Sequence, residues 1–326
     1  MLRAIEFFAG MGLMRAGLER VGIETVFAND IDETKAKLYA DNWGREELHV
    51  GDIRALKGED IPNAELVTAS FPCTDMSLAG NYKGLNGAQS SLVLDFLRIL
   101  DDMGGRAPRT LMIENVMGFL TANGGRDWDT VITGIQKLGY QAAHIIVDAG
   151  AFVPQSRARV FLFGHKGTIN LPDPPDIRKD LRLVEIAEED GDWWSPDRLR
   201  AFLETLSPIQ SKRVSLYQRR FWPGCYGAFR RTRGGRPVWE VRADERAGAL
   251  RTTRGGSAKQ AIVRAGRGEI AVRWMSLTEY ARLQGAENLR YESVTPSQAM
   301  FALGDAVCVP VIEWIAKHCL TPLLRK

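Results

Sequence analysis

The sequence predicts an α/β protein with an open sheet, on three observations. Apolar runs of strand length alternate with helical patterns through the first half of the chain. The first run, Leu2 to Phe8, ends in the turn Ala9-Gly10-Met11-Gly12, which opens a helical pattern from Leu13 to Val21. The second run, Glu24 to Ala28, ends at Asn29-Asp30 and so places an acid twenty residues after Gly10. Strand, glycine turn and helix bring backbone N–H groups close to a ligand, and nucleoside-binding α/β units hold ribose hydroxyls with an acid at that offset.

The remaining elements follow in order. Glu33 to Asn42 reads as a helix and leads to a short strand ending at Gly51-Asp52-Ile53, where Asp52 is either a strand-edge acid or a turn cap. Ala64 to Ala69 reads as a buried strand closed by Ser70-Phe71-Pro72-Cys73-Thr74. Proline cannot extend a central strand, so the chain turns and leaves Cys73 at the carboxyl edge, where open α/β sheets bind ligands. A small buried hydrophobe is the competing reading of that cysteine. Asp75 to Ser91, rich in Gly, Asn and Ser, has the length of a mobile functional loop.

Leu92 to Met103 is helical, Thr110 to Ile113 is a strand ending in Glu114-Asn115-Val116, Trp128 to Leu138 is helical and Gln141 to Val147 is a strand. Val153-Pro154-Gln155-Ser156-Arg157-Ala158-Arg159 then leads into the strand Val160 to Phe163. Arginines two apart on an extended chain point the same way, so Arg157 and Arg159 can face one anionic or carbonyl group, an exposed strand edge being the alternative. Asp173-Pro174-Pro175-Asp176 marks a boundary. Beyond it Trp193 to Val263 reads as irregular and glycine-punctuated, with Arg233-Gly234-Gly235-Arg236 and Arg254-Gly255-Gly256-Ser257. Helical pattern returns at Leu277 to Gln284 and Ser297 to Ala302, followed by Gly304-Asp305-Ala306-Val307 and an apolar helix from Val309 to Ala316.

With 326 residues and 45% apolar content, the chain can bury one large core plus a smaller appendage. Its four cysteines lie far apart, with no CxxC pair or histidine at ligand spacing, so neither disulfides nor a metal site are indicated and a reducing compartment is expected. Glu6 comes too early for a signal peptide, and no apolar run is read as approaching the ~18 residues of a bilayer span. A soluble, cytoplasmic protein with no membrane partner is the expectation. The net charge of +3 is unevenly placed: Pro196 to Arg264 holds sixteen Lys/Arg against five Asp/Glu, leaving the rest of the chain net negative. Fourteen of those sixteen are arginine, interleaved with seven aromatics, which suits phosphate and guanine recognition better than a merely solvated basic face.

These pieces, in this order, resemble the C5-cytosine DNA methyltransferases from Phe7 to Ala316. The family's cofactor loop is similar to Phe8-Ala9-Gly10-Met11-Gly12, its catalytic Pro-Cys pair to Pro72-Cys73 and its Glu-Asn-Val to Glu114-Asn115-Val116. Its paired arginines after Pro-Gln match Arg157 and Arg159, its Arg-x-Gln-Gly matches Arg282-Leu283-Gln284-Gly285, and its final Gly-Asn-Ala-Val appears as Gly304-Asp305-Ala306-Val307. The resemblance implies an α/β, Rossmann-like S-adenosylmethionine-dependent methyltransferase fold with a smaller, irregular target recognition domain. It divides the chain into a catalytic and cofactor-binding domain at 1–170, a target recognition domain at 171–271, and a C-terminal segment at 272–326 packing back onto the catalytic domain.

The function so implied is methyl transfer from S-adenosylmethionine to C5 of a flipped-out cytosine in double-stranded DNA, through a covalent adduct between Cys73 and C6. A thiol of pKa about 8.5 must ionise to add at C6, and only then is C5 nucleophilic enough to take a methyl group. Glu114 would hold N3 and the exocyclic amine, Arg157 and Arg159 would hold the base, and the loop after Cys73 would exclude water. For the cofactor, the resemblance assigns Phe8, Asp52 and Ile53 to the adenine, Asp30 to the ribose and Asp305 to the methionine end, and counts Gly10, Gly12, Ile31 and Pro72 among the cofactor-binding residues. Asp305 stands where the family has Asn, Asp30 where Glu is common, Ile31 where an aromatic can stack, and Thr74 where Gln or Asn is usual. A monomer is expected, and a cognate restriction endonuclease is left open as a partner. Rival readings are a tRNA cytosine methyltransferase, although the variable region lacks Cys-Phe-Thr, a non-catalytic nucleic-acid-binding relative, and a nicotinamide-dependent dehydrogenase suggested by the glycine turn alone.

Overall fold

The computed structural model describes residues 2–72, 92–233, 235–252 and 259–325. These form two compact units: Met1–Asp148 with Ala158–Pro175 and Val309–Lys326, and Ala149–Arg157 with Asp176–Cys308. Residues 272–308 group with the second unit, and the last helices join the first.

In the first unit, β1 (Leu2–Phe7), α1 (Leu13–Glu19), β2 (Ile23–Asp30), α2 (Glu33–Trp43), β3 (Leu48–Val50) and β4 (Leu66–Ala69) precede α3 (Leu92–Met103), β5 (Thr110–Val116), α4 (Arg126–Lys137), β6 (Gln141–Asp148) and β7 (Ala158–His165). The seven strands make one sheet in the order β3-β2-β1-β4-β5-β7-β6. Neighbours are parallel from β3 to β5, whereas β7 is antiparallel to both β5 and β6. Strands buried on both faces need continuous apolar runs, which explains why β4 and most of β5 lack polar alternation. One face is covered by α3, whose Val93, Phe96, Leu97, Ile99, Leu100 and Met103 recur at helical spacing and pack on Phe7, Val67, Leu111 and Ile113. Burying each such side chain is worth about 1.5–3 kcal/mol.

The chain leaves β1 for β2 and β3 on one side, then returns to β4 on the other. A topological switch point therefore lies between β1 and β4, and the crevice beyond their carboxyl ends is the place for a ligand. Phe8–Gly12 follows β1 there, and Ser70–Pro72 follows β4.

The second unit differs from the irregular stretch that its sequence suggests. After α5 (Pro196–Glu204) and α6 (Pro208–Gln218) come β8 (Gly224–Arg233), β9 (Arg236–Val241), β10 (Gln260–Gly266) and β11 (Glu269–Trp274), an antiparallel sheet ordered β11-β10-β8-β9. Its core joins Tyr217, Tyr226, Trp239 and Val263 with Phe202 and Val214 from the two helices. Helices α7 (Leu277–Gln284) and α8 (Pro296–Asp305) complete it, each opened by a capping box, Ser276 with Glu279 and Thr295 with Gln298. Consecutive buried positions, Gly224–Ala228 in β8 and Gln260–Val263 in β10, leave no alternation to reveal the strands. The buried Arg273 is held in a bidentate pair with Glu279 at 2.6 and 2.8 Å.

Helices α9 (Val309–Ile315) and α10 (Thr321–Leu324) belong to the first unit, α9 lying against α1. The sequence reading anticipated no span-length apolar run, yet Pro296–Leu324 is long and apolar enough, with an 18-residue window of mean hydropathy 1.7. Two features mark it as core rather than membrane-spanning. Of that window 67% is buried inside the protein, and Ala306 interrupts the run with extended backbone (φ −69°, ψ 161°).

Gly17 of α1 sits where a Cβ would lie 2.5 Å from Cβ of Ile312 on α9. Gly17→Ala is therefore expected to lower stability by about 1–3 kcal/mol through overpacking, read as a reduced thermal unfolding midpoint; an unchanged midpoint would show that the two helices part at no cost.

Candidate active site

The loop after β1 is shaped by backbone strain. Phe8 has φ +60°, an uncommon conformation for a bulky residue, at a cost of about 1–3 kcal/mol that a packed environment must offset. Gly12 follows at φ +84°, and a Cβ there would lie 2.3 Å from Nε1 of Trp43. The turn is tied down by N–H bonds from Ala9 to Asn29 O and from Gly12 to Ala9 O, both 2.9 Å. Asp30 completes it, its Oδ2 accepting from Gly10 N at 2.7 Å and its Oδ1 from Asp32 N at 2.8 Å. The twenty-residue offset thus reflects a direct bond from the glycine loop to the acid. Each carboxylate oxygen keeps a second lone pair for a hydroxyl donor. Burial pushes the Asp30 carboxyl above its ordinary pKa, opposed by the Lys35 charge and the N–H groups of Asp32 and Gly10. Beside it Ile31 is 65% exposed, an apolar surface next to a nucleoside-type acid.

The other cofactor-side residues fall out differently. Asp52 grips Arg54 at 2.6 and 3.0 Å and caps the turn Ile53–Ala55, so that Arg54 holds its carboxyl below the usual range. This matches the turn-cap alternative for that side chain. Ile53 is buried in the main core. Asp305 ends α8 in the second unit and is exposed.

Of the residues expected to be catalytic, Cys73 lies outside the described residues, as does the segment 75–91. The approach to Cys73 is nevertheless fixed. Phe71 is buried edge-on against Phe119 with ring centroids 5.4 Å apart, and its carbonyl accepts from Asn115 Nδ2 at 3.2 Å. Asn115 thereby anchors the chain one residue before Pro72, a role its place in the motif did not reveal. Next to it, Glu114 is buried and its Oε1 lies 3.2 Å from Arg159 Nε. Glu114 is opposite Phe161 and Val116 opposite Arg159 in the antiparallel register, so Glu114 and Arg159 are diagonal neighbours on one face of the sheet.

Arg157 and Arg159 have different described partners. Arg157, buried in the second unit, donates to Leu250 O (2.8 Å), Ala306 O (2.7 Å) and Gly304 O (3.5 Å). Gln155 beside it donates to Leu283 O and accepts from Leu250 N, and Gln284 donates to Leu303 O and Ala306 O. Three sequence motifs thus meet as one buried polar scaffold. The same unit carries the basic hairpin. Among the described residues β10 pairs β8 as far as Phe229, while β8 and β9 continue together to the pair Arg233–Arg236. Its end is therefore a two-stranded ribbon with Arg231 and Arg236 exposed, Arg231 also pairing with Glu240 at 3.3 Å. Gly234 and 253–258, which includes the second arginine-glycine cluster, lie outside the described residues.

Sequence reasoning also passed over Glu6, whose signal was a charge inside an otherwise apolar central strand. Its carboxyl is 3% exposed, and burial raises its pKa to about 8 against the opposing pull of Arg15.

A C-5 cytosine-specific DNA methylase family model matches residues 2–321. The type II methyltransferase M.NgoBI of Neisseria gonorrhoeae is 28% identical over 320 residues, covering 98% of this chain and 93% of that protein. Among solved structures, the Entamoeba histolytica methyltransferase EhMeth superposes with a TM-score of 0.71 at 16% identity, and the S. pombe Dnmt2 methyltransferase with 0.68 at 18%. Each covers 99% of both chains, so the fold is shared along the whole length.

The buried Glu6 carboxyl yields a stability test. Because its folded pKa lies above the ordinary 4.5, its contribution is complete below 4.5 and is lost as pH rises through about 8. The thermal midpoint of the ligand-free protein should fall over that window relative to Glu6→Gln; parallel pH profiles for the two proteins would contradict it.

Proposed function

Because this chain belongs to the C-5 cytosine-specific DNA methylase family, and is thereby a DNA cytosine-5-methyltransferase, we propose that Cys73 attacks C6 of a flipped-out cytosine while Glu114, aligned by Arg159, steadies the ring. The observation that carries this reading is the Glu114–Arg159 pair standing beside Asn115, which holds the chain leading into Pro72-Cys73. The Cys73 thiolate forms the Sγ–C6 bond, and electron density moves to C5. Glu114, carrying a proton, donates to N3 and accepts from the exocyclic amine, so that the negative charge entering the ring is taken up at N3. Once C5 carries the methyl group, loss of its proton to water and β-elimination of the Sγ–C6 bond release Cys73. Cytosine C6 is shielded in the duplex, so the base must leave the stack at a cost of a few kcal/mol.

S-adenosylmethionine supplies the methyl group as an electrophilic sulfonium. The residues fit it: an acid, Asp30, bonded to the glycine loop, an exposed apolar Ile31 beside it, and a buried oxygen, Glu6 Oε2, with no hydrogen-bond partner among the described residues. Asp30 would take the ribose hydroxyls, Ile31 and Phe8 the adenine, and the Gly10–Gly12 backbone the methionyl part. Asp52 and Ile53 border the adenine through their backbone in this reading, since the Asp52 side chain is committed to Arg54 and Ile53 to the core. Pro72 lines the cofactor edge and Asp305 the methionine end.

Arg157 acts at a distance in this scheme, fixing Leu250, Gly304 and Ala306 rather than touching the base. Duplex DNA is held by the second unit, as target recognition domain, where the β8–β9 ribbon has the width a major groove admits and arginines suited to guanine edges and phosphates. The type II relative supports a restriction-modification setting in the cytoplasm, with a cognate endonuclease as the further partner.

Methyl transfer from labelled S-adenosylmethionine to plasmid DNA and to tRNA, with bisulfite sequencing of the plasmid, tests the substrate. Methylation of duplex cytosines in one short sequence is expected; preferential labelling of tRNA would overturn the reading. Glu114→Gln should lower kcat roughly 10²- to 10³-fold with DNA affinity retained, whereas unchanged turnover would remove the carboxyl from the chemistry.

A further inference from the structure

Glu6 faces away from Ile5 and Phe7, its neighbours in β1, which enter the main core. The charged and titratable groups around its carboxyl are Arg15 and Glu19 on α1, Asp30 at the end of β2 and Tyr39 on α2. Arg15 gives it a backbone N–H, but the Arg15 guanidinium is engaged elsewhere, with Glu19 at 2.6 Å, the Tyr39 hydroxyl at 3.0 Å and Glu47 at 3.4 Å. Glu6 Oε2 is buried with no hydrogen-bond partner among the described residues. Buried polar atoms are rarely left in this state, and each such exception needs an explanation. Asp30 adds a second buried carboxyl that opposes ionisation of the first.

We propose that Glu6 is a charge-sensing specificity residue of the cofactor pocket, giving up its proton when cationic S-adenosylmethionine binds and keeping it when neutral-sulfur S-adenosylhomocysteine binds. The inference rests on the cofactor reading above and deepens it. Substrate and product share the adenosine, ammonium and carboxylate and differ by one methyl group and one positive charge. A pocket can separate them strongly only through a group that responds to charge. The Glu6 carboxyl meets the requirement: it is desolvated, the guanidinium that pulls on it, Arg15, is bonded to Glu19, Tyr39 and Glu47, and burial raises its pKa to about 8. A cation entering the crevice supplies the missing charge, the carboxyl ionises, and the resulting attraction favours donor over product. On methyl transfer the sulfonium charge disappears, Glu6 takes back a proton from solvent, and the product is held less tightly.

Isothermal titration calorimetry of the full chain at pH 7, in two buffers of different ionisation enthalpy, counts the protons exchanged on binding. S-adenosylmethionine should release about one proton and S-adenosylhomocysteine close to none. The donor-to-product affinity ratio should rise by up to about tenfold per pH unit below pH 8, level off above it, and become independent of pH in Glu6→Gln. Equal proton release for the two ligands, measured on the unaltered chain, overturns the proposal without any variant. Donor-linked release that survives in a folded Glu6→Gln assigns it to another group and also overturns it. If neither compound binds at all, the cofactor reading itself fails and the proposal with it.

Discussion

Arg159 reaches Glu114 because β7 runs against β5. In a sheet that is parallel from β3 to β5, the carboxyl ends of the central strands collect at one edge, and a further parallel strand would have started at the opposite one. Reversal of β7 brings its first residues to the active edge, so a chain position 45 residues later becomes the diagonal neighbour of Glu114. The same edge holds the glycine loop after β1, Asp30 at the end of β2 and Pro72 beyond β4. One change of strand direction thus assembles carboxylate, guanidinium and the approach to the thiol without any of them being close in sequence.

Several features of this edge work against stability and are held by the surrounding core. Phe8 adopts a left-handed backbone, Glu6 and Asp30 are buried carboxyls, and Glu6 leaves an oxygen unpaired. None is required by the sheet, whose packing is supplied by Phe7, Phe96, Val67 and their neighbours. Unfavourable groups gathered at one crevice are best understood as a pocket preorganised for a polar, charged ligand. In the second unit the buried polar side chains Gln155, Arg157 and Gln284 are bonded to main-chain carbonyls, as a scaffold requires.

The strands and helices of the first unit were legible because their apolar residues follow simple periods, and the glycine loop with Asp30 was legible because spacing along a βαβ unit fixes distance in space. The second unit's sheet was hidden, since β8 and β10 are buried at consecutive positions, Gly224–Ala228 and Gln260–Val263, and show no alternation there. Arg157 and Arg159 illustrate a different limit. Spacing of two puts side chains on one side of an extended chain, but Arg157 precedes β7 and follows its own course to Leu250 and Ala306. Asn115 and Glu6 were visible as letters and not as roles, because a hydrogen bond to Phe71 or a desolvated carboxyl depends on what packs around it. The apolar C-terminal run was likewise ambiguous until its burial and its break at Ala306 were seen.

The account turns on the thiol at the end of β4 attacking a pyrimidine ring held by Glu114. A DNA duplex carrying 5-fluorocytosine at the target position, incubated with the protein and S-adenosylmethionine, measures this directly, because fluorine at C5 cannot leave as the proton does and the adduct persists. The account predicts a denaturation-resistant protein–DNA complex whose linked peptide contains Cys73. Efficient methylation of ordinary duplex with no trapped complex, or a linkage at Cys225, Cys308 or Cys319, would contradict it.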